Sequence, residues 1–397
     1  MAKNAKQALG YPRPYRRRPS SMVAAGPTGN INILGLEVVQ CIQDVQGSVK
    51  LIANKTTVVR VYIDSTSVGR AGKIAGEIAW NRGGAETYLP GLATVSVTPS
   101  KPMSMDGQRN DIAQSLNFIL PPEAIVSGDL NIRISRIFQP GGGDLPIGVI
   151  SKAVTFAPAP PLRIRVIGLR YKNGTADVSP AAIHFAYLKS FLLRAYPIAE
   201  IQWSQIVVDA DFSAPLNEAT ADLANAQIAA LRSREVSNGV DPRTHYFGLV
   251  DDDSGRNFMR GKAFSIPGTA QPDVVASGPA GVPNGFAGDH DASYADWYGA
   301  HELGHTFGRY HPGFPPGQQD ASDQTFPYPD GCISTADGRF VGLDVGDPTL
   351  GLPLQALSGS DHHDIMTYAD NQWISPYTYQ AILGRLVEED ALIPPTV

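Results

Sequence analysis

The sequence predicts an α+β protein whose N-terminal part is an all-β sandwich and whose C-terminal part mixes strands and helices. Glycine and proline are frequent, with 40 and 32 of 397 residues, which favours many turns between short strands. Short β-rich runs fill the first 160 positions, whereas strand and helix patterns alternate after residue 161. Because 43% of the residues are hydrophobic and 18% are charged, the chain can bury a sizeable core, which excludes wholesale disorder.

Residues 1–29 are predicted to form a basic, disordered arm. Residues 1–20 contain no acidic residue, and their basic residues are Lys3, Lys6, Arg13, Arg16, Arg17 and Arg18. The formal net charge of the whole chain is −6, so the remainder carries −12, which argues against nucleic-acid binding. No apolar run has the length of a membrane span, and the arm lacks the apolar stretch of a signal peptide.

Residues 30–156 are predicted to form an immunoglobulin-like β-sandwich module. The spacing of its β-rich runs, with Gly, Pro, Asn and Asp between them, is typical of such sandwiches. The runs are Val58–Ile63, Ile74–Trp80, Ala93–Val97, Leu116–Leu120, Leu130–Ile137 and Val149–Phe156. No cluster of His, Cys, Asp or Glu with metal-binding or catalytic spacing occurs there, so we expect a structural or targeting role.

Residues 157–161, with the sequence Ala-Pro-Ala-Pro-Pro, are predicted to be a stiff linker before a second domain over residues 162–397. Strands are predicted at Leu162–Leu169, Ile201–Val208 and Tyr246–Val250, and the second of these is expected to be buried. An edge strand is predicted in the proline-containing region Phe264–Val275. Helices are predicted from Ser179-Pro180 to Pro197, from Leu216 to about Val236, from Ser293 to about Phe307 and from Ser375-Pro376 to about Leu386.

The third of these helices, for which Ser293 and Asp296 form a predicted capping box, carries a histidine pair with metal-binding spacing. His301 and His305 are four residues apart, so they lie on one helical face at a distance of about 6 Å along the axis. Two imidazoles in this arrangement can bind one Zn²⁺ ion.

Three further residues complete a pattern that is typical of a catalytic zinc site. Glu302 is rotated by about 100° from His301, where it can take a proton from a zinc-bound water. Gly308 permits the positive φ that ends a helix, so the chain can turn back and present His311 as the third ligand. Three imidazoles leave a fourth position for water or substrate, which distinguishes a catalytic site from a closed structural one.

The segment His301–His311, with the sequence HELGHTFGRYH, resembles the extended zinc-binding motif of the metzincin clan of zinc metallopeptidases. The resemblance implies a methionine turn beneath the metal, and Met366 in the sequence HDIMTY fits that position. In astacin-like and serralysin-like metzincins, a tyrosine two residues later can ligate zinc and stabilise the oxyanion, which implies a catalytic role for Tyr368. The layout of residues 162–390 is similar to that of bacterial metzincin-like proteases with an N-terminal β-sandwich.

The resemblance implies a zinc-dependent endopeptidase that hydrolyses peptide bonds of proteins through a zinc-bound water activated by Glu302. The protein or peptide substrate would lie along the edge strand near Phe264–Val275, and the enzyme would act outside the producing cell. Two alternatives stay open. One is a binding or adhesion protein whose β-sandwich is the functional module and whose zinc site is structural, and the other is a zinc hydrolase of a non-peptide bond.

The regions outside this motif carry weaker signals. The 54 residues between His311 and Met366 are a long insertion for a compact metzincin, and we expect it to shape the substrate cleft. His362 and His363 are expected at the rim of the site. The other three histidines are expected to be packing or surface residues: His184, His245 and His290.

Two further features have a structural and a functional interpretation each. Residues 251–255, Asp-Asp-Asp-Ser-Gly, resemble a calcium loop, but Ala263 stands where such a loop has its bidentate Glu, so an acidic turn is favoured over a Ca²⁺ site. Cys41 and Cys332 are expected to be separate buried thiols, with a disulfide as the alternative. The sequence leaves the oligomeric state and any zymogen form open.

Overall fold

The computed structural model describes residues 29–66, 68–255, 258–283, 292–319 and 323–393. The described part of the chain is a mixed α+β structure, as predicted, in which strands outnumber helices. Residues 1–28 of the predicted arm, and His290, lie outside the described residues.

The N-terminal part consists mainly of strands, and each of the six predicted β-rich runs overlaps one of them. Its elements are β1 Asn32–Val39, β2 Ile42–Gln43, β3 Leu51–Ile52, β4 Val58–Asp64, β5 Gly72–Asn81, β6 Thr87–Pro90, β7 Val95–Val97, helix α1 Met105–Arg109, β8 Leu116–Ile119, β9 Gly128–Phe138, β10 Asp144–Leu145 and β11 Ser151–Ala157. Short 3₁₀ turns lie at Ile112–Gln114 and Pro122–Ala124.

Apart from β2, these strands form two sheets that share one hydrophobic core. The first sheet has the order β1-β4-β8, and the second has the order β3-β11-β9-β5-β6, with β7 and β10 paired at its margins. Val61 and Phe118 of the first sheet belong to the same buried cluster as Ile78 and Ile132 of the second. Alternation of apolar residues along β9 explains this arrangement, because one side of the strand is buried and the other is not.

The C-terminal part begins with β12, and four residues separate it from β11, so the predicted linker lies between two strands except for Ala157, which is the last residue of β11. Its elements are β12 Leu162–Asn173, β13 Ala176–Val178, α2 Ala182–Ala195, β14 Ile201–Asp209, α3 Glu218–Ser237, β15 His245–Asp251, β16 Lys262–Ala263, β17 Ala276–Ala280, α4 Trp297–Thr306, a 3₁₀ turn Pro329–Gly331, β18 Val341–Asp344, β19 Gln355–Leu357, β20 His363–Asp364, β21 Gln372–Trp373 and α5 Pro376–Asp390.

A largely parallel sheet organises this part of the chain. Strands β14, β12, β15 and β17 are parallel neighbours in that order, and β16 adds an antiparallel strand beside β17. One face packs against α2, α4 and α5 in a core that includes Ile164 and Leu249. The other face packs against α3 in a core that includes Ile167 and Val250. The sheet is therefore covered by helices on both faces, as parallel sheets require.

Four predictions about these elements were wrong. Ile201–Val208 is a strand, but it is an edge strand with most of its side chains exposed. Phe264–Val275 contains no strand, because the antiparallel edge strand is β16 immediately before it. Helix α2 begins two residues late, with Ala181 at its N-cap and no side-chain cap. Ser293 does not cap α4, because its hydroxyl accepts from the Ala295 amide and Asp296 is the N-cap.

A third sheet joins the N-terminal and C-terminal parts of the chain. Strand β2 pairs with β18, which pairs with β19. The Cys41 carbonyl accepts from the Leu343 amide at 2.8 Å and from the Trp373 indole N–H at 2.7 Å. Ile42 and Ile52 belong to the same core as α2 and α4. The long segment between His311 and Met366 thus connects the N-terminal strands to the region of the histidines.

Candidate metal centre and active site

Helix α4 holds the first two histidines, and its two ends are set by specific backbone contacts. The Asp296 carboxylate caps the N-terminus by accepting from the Trp297 amide at 2.6 Å. At the C-terminus, Gly308 has φ +78 and donates to the His305 carbonyl, while Arg309 donates to the Gly304 carbonyl. This pair of bonds is a Schellman cap, which needs a residue that adopts positive φ. The prediction that Gly308 ends the helix is confirmed.

The turn at Gly308 brings His311 against the two helical histidines. The Nε2 atom of His311 lies 3.2 Å from Nε2 of His301 and 3.0 Å from Nε2 of His305. These three side chains are the one group of potential metal ligands found in the described residues. The cluster can therefore hold a metal ion through three imidazole nitrogens.

The second ring nitrogen of each helical histidine is held by a backbone carbonyl. His301 Nδ1 lies 2.6 Å from the Ile365 carbonyl, and His305 Nδ1 lies 2.7 Å from the Arg309 carbonyl. A carbonyl only accepts, so Nδ1 must carry the proton and Nε2 must present a lone pair to the centre of the cluster. Burial, and then the neighbouring His305 and His311, lower the pKa of His301, which keeps this imidazole neutral.

Glu302 is buried beside this cluster, with 6% of its surface exposed, between α4 and the segment that leads into β16. Gly261 has φ +144, and a Cβ atom there would lie 2.4 Å from the Glu302 Cγ atom. Burial raises the pKa of Glu302 to about 8, although a backbone hydrogen bond at Ala263 lowers it in part. A carboxyl group with such a pKa can both accept and donate a proton near neutral pH.

Met366 lies in a tight turn beneath α4. A Cβ atom on Gly304 would be 2.5 Å from the Met366 sulfur, so the helix and the turn are in close contact at this glycine. The buried Asp364 carboxylate accepts from the Met366 amide at 2.9 Å and from the Ser375 amide at 3.0 Å. Asp364 therefore fixes the turn from within, and the same turn supplies the Ile365 carbonyl to His301.

Tyr368 is next to the histidines. Its ring centre lies 5.7 Å from that of His301 and 5.0 Å from that of His311. The side chain is 38% exposed, so the ring is at the open side of the cluster. The structure thus brings together all seven residues singled out from the sequence: His301, Glu302, His305, Gly308, His311, Met366 and Tyr368.

Sequence reasoning missed several supporting residues around this centre. Gln319 donates to the Met366 carbonyl at 2.7 Å and accepts from the Phe314 amide at 3.1 Å. The Phe314 carbonyl accepts from the Tyr368 amide at 3.1 Å. Together with Asp364 and Gly261, these residues lie far from α4 in sequence or in an irregular segment, and apart from Asp364, which is part of the segment HDIMTY, no motif marks them.

The other histidines and the two cysteines have structural surroundings. His184 and His245 are buried, and their rings contact the Ser293 hydroxyl at 2.8 Å and the Glu389 carboxylate at 2.8 Å. His362 and His363 are half-buried beside the methionine turn, with Nδ1 of each ring against a backbone carbonyl. Both cysteines are free and buried, so the prediction of two separate thiols is confirmed.

No known protein-family profile matches the chain, and no curated protein matches it significantly. Among the described residues, no helix combines the length and the apolar character needed to cross a membrane.

Proposed function

We propose that this protein is a zinc-dependent endopeptidase with a metzincin-like C-terminal domain after an immunoglobulin-like β-sandwich. The observation that carries the proposal is the convergence of three imidazole Nε2 atoms beside one buried glutamate. Two N-terminal sheets with a shared core support the sandwich. The parallel sheet, whose antiparallel edge strand β16 lies beside Glu302, supports the metzincin-like domain.

The residues present fit a zinc ion. His301, His305 and His311 offer three imidazole nitrogen donors, and nitrogen ligands in a set of three are typical of catalytic zinc. Without a cation, the lone pairs of His301 and His305 would face the His311 nitrogen at 3.0–3.2 Å. The backbone carbonyls of Ile365 and Arg309 act as the outer partners that orient metal-bound histidines.

The chemistry divides between the metal and the chain. A bound zinc ion would polarise the scissile carbonyl and lower the pKa of a water molecule. Glu302 accepts a proton as water attacks and then donates it to the leaving nitrogen, which its raised pKa favours. The Tyr368 hydroxyl donates to the oxygen on which negative charge develops. The substrate would pair with β16, because this strand is at the edge of the sheet and its Ala263 backbone lies against Glu302.

Replacing Glu302 by Gln tests the proposal, because the amide cannot take up the proton. We expect cleavage of a protein substrate to fall by about 10²- to 10⁴-fold while zinc content stays at one ion per chain. Rates come from quenched peptide libraries, with product masses to identify the bond that is broken. Glu200→Gln is the matched control, since Glu200 is exposed outside the site, and it should retain full activity.

The outcome also separates the alternatives. A Glu302→Gln protein that is folded, zinc-loaded and as active as the unmodified protein would falsify the proposal. A zinc-loaded parent protein that cleaves no peptide bond would favour the two alternatives, which are a binding or adhesion protein with a structural zinc site and a zinc hydrolase of a non-peptide bond. We also propose that the enzyme acts outside the producing cell, which its detection in culture medium by mass spectrometry would test.

A further inference from the structure

Strand β14 has one edge that no other described residue pairs with. It pairs along Ile201–Asp209 with β12 without a break in register. Leu162 donates to the Glu200 carbonyl at 3.1 Å, and Ala210 donates to the Arg170 carbonyl at 2.7 Å. The backbone N–H and C=O groups of the even-numbered residues of β14 therefore point toward β12. Those of the odd-numbered residues point outward, to the open edge.

Residues 201–208 of β14 carry no feature that prevents another strand from binding there, and the one charged residue of the strand, Asp209 at its end, pairs with Arg170. Residues 201–208, IQWSQIVV, contain no charged residue and no proline. Ile206 and Val207 are 41% and 42% exposed, on opposite faces of the strand. Edge strands of monomeric proteins usually carry a charge, a proline or a bulge that blocks pairing. An uncharged, regular and apolar edge is suited to being covered.

An apolar groove runs beside this edge on the α3 face of the sheet. Helix α3 packs mainly on β15 and β17, and a cavity of about 220 Å³ lies between the helix and the outer strands. Its apolar lining comes from Ile167, Leu169, Val208, Ile228 and Leu231. Side chains of an added strand would meet this surface at alternate positions, which is how strand addition gains specificity.

We propose that β14 pairs with β14 of a second copy of this chain, antiparallel and centred on Ile206. A two-fold axis covers the same open edge on both copies at once. In this register Ile206 lies opposite Ile206 of the second copy, and Gln205 lies opposite Val207 of the second copy. No like charges face each other, because Asp209 is the one charged residue of β14 and lies opposite Trp203 of the second copy in this register, and the exposed Glu200 lies before the strand.

Disulfide trapping tests this register. Ile206→Cys places two thiols in a directly opposed pair, where Cα atoms are about 4.5 Å apart, so mild oxidation should give a covalent dimer. Ser204→Cys, on the same face of the strand, is the matched control and should stay monomeric on denaturing gels. The native cysteines are buried and should not react. Crosslinking of Ser204→Cys but not of Ile206→Cys would overturn the proposal.

Sedimentation of the full chain tests the association itself. The unmodified protein should approach twice 42.4 kDa as its concentration rises. Ile206→Lys places two positive charges opposite each other in the dimer, so the dissociation constant should rise by about tenfold or more. Leu223→Lys on α3 should leave the dissociation constant unchanged. Leu223 is a suitable control because it is 46% exposed and outside the strand. A chain that stays monomeric at every concentration, or an unchanged Ile206→Lys dimer, would contradict the proposal.

Discussion

Single residues set how closely the parts of the metal centre approach each other. Gly304 is the clearest case, because the Met366 sulfur occupies the space that a side chain there would need. The helical spacing of His301 and His305 is compatible with many residues at position 304. The close contact with the methionine turn restricts that position to glycine.

Gly304→Ala should therefore destabilise the protein, although alanine is the better helix former. A Cβ atom 2.5 Å from the Met366 sulfur forces the turn or the helix to move, and we expect a loss of about 1–3 kcal/mol in unfolding free energy, with weaker zinc binding. The control is Gly384→Ala in α5, where no atom lies within 4 Å, and which should stabilise by up to about 1 kcal/mol. Urea unfolding measures the stability of both variants, and zinc titration measures their affinity for the metal. If Gly304→Ala stabilised the protein as much as Gly384→Ala, the close contact between position 304 and Met366 would be contradicted.

Asp252 lies in the acidic turn that resembles a calcium loop. It is 3% exposed, its Oδ2 atom has no hydrogen-bond partner, and burial together with Asp251 raises its pKa to about 6. A carboxyl group with a raised pKa binds its proton more tightly in the folded state, so stability falls as pH rises from about 4 to above 6.

Asp252→Asn should remove this loss of stability. We expect the variant to exceed the unmodified protein by about 1–2 kcal/mol at pH 8 and to differ little at pH 4. Thermal unfolding at both pH values, with and without Ca²⁺, measures the effect. If the turn is a calcium site instead, Ca²⁺ will raise the unfolding temperature of the unmodified protein and the variant will lose that response.

At the scale of elements, helix ends connect parts of the chain that are distant in sequence. Helix α2 ends against Lys55, whose ammonium group donates to the carbonyls of Leu193 and Arg194. Lys55 is buried and belongs to the N-terminal strands, so one charge caps a helix of the C-terminal part. Burial lowers the pKa of Lys55 to about 8.

This lowered pKa predicts a stability that increases with pH. The folded state releases the Lys55 proton near pH 8 and the unfolded state only near 10.5, so unfolding free energy should rise between these values by up to about 3 kcal/mol. Lys55→Met should abolish that increment, and the exposed Lys50→Met should retain it. Chemical denaturation at a series of pH values measures the difference. Identical pH profiles for the unmodified protein and Lys55→Met would rule out this cap as a titrating group.

At the scale of the whole molecule, the N-terminal strands and the metal centre share structure. Strand β2 extends the sheet of β18 and β19, and Trp373, just after the methionine turn, donates to the Cys41 carbonyl. Val49 and Ile52 are part of the core that contains α4. We therefore expect that the linker at residues 157–161 does not mark a boundary of folding.

A fragment of residues 157–397 should consequently fail to fold on its own. It loses the β2 partner of β18 and leaves part of the shared core exposed, so we expect no cooperative unfolding transition and no zinc binding at the affinity of the full chain. Circular dichroism and calorimetry measure this. Residues 29–156 supplied in trans should restore zinc binding, and a stable, zinc-binding 157–397 fragment would show that the C-terminal part folds alone.

The α+β class, most strands, and the cluster of His301, Glu302, His305 and His311 could be predicted from the sequence alone. Three of these residues follow from helical spacing and the fourth from a glycine turn, so local geometry is sufficient to bring them together. The tertiary structure decided that Asp364 and Gln319 hold the methionine turn, that β2 pairs with β18, and that Ile201–Asp209 is an exposed edge. These contacts depend on strand order and register between distant segments, and an apolar strand has the same sequence pattern whether its second edge is covered or open.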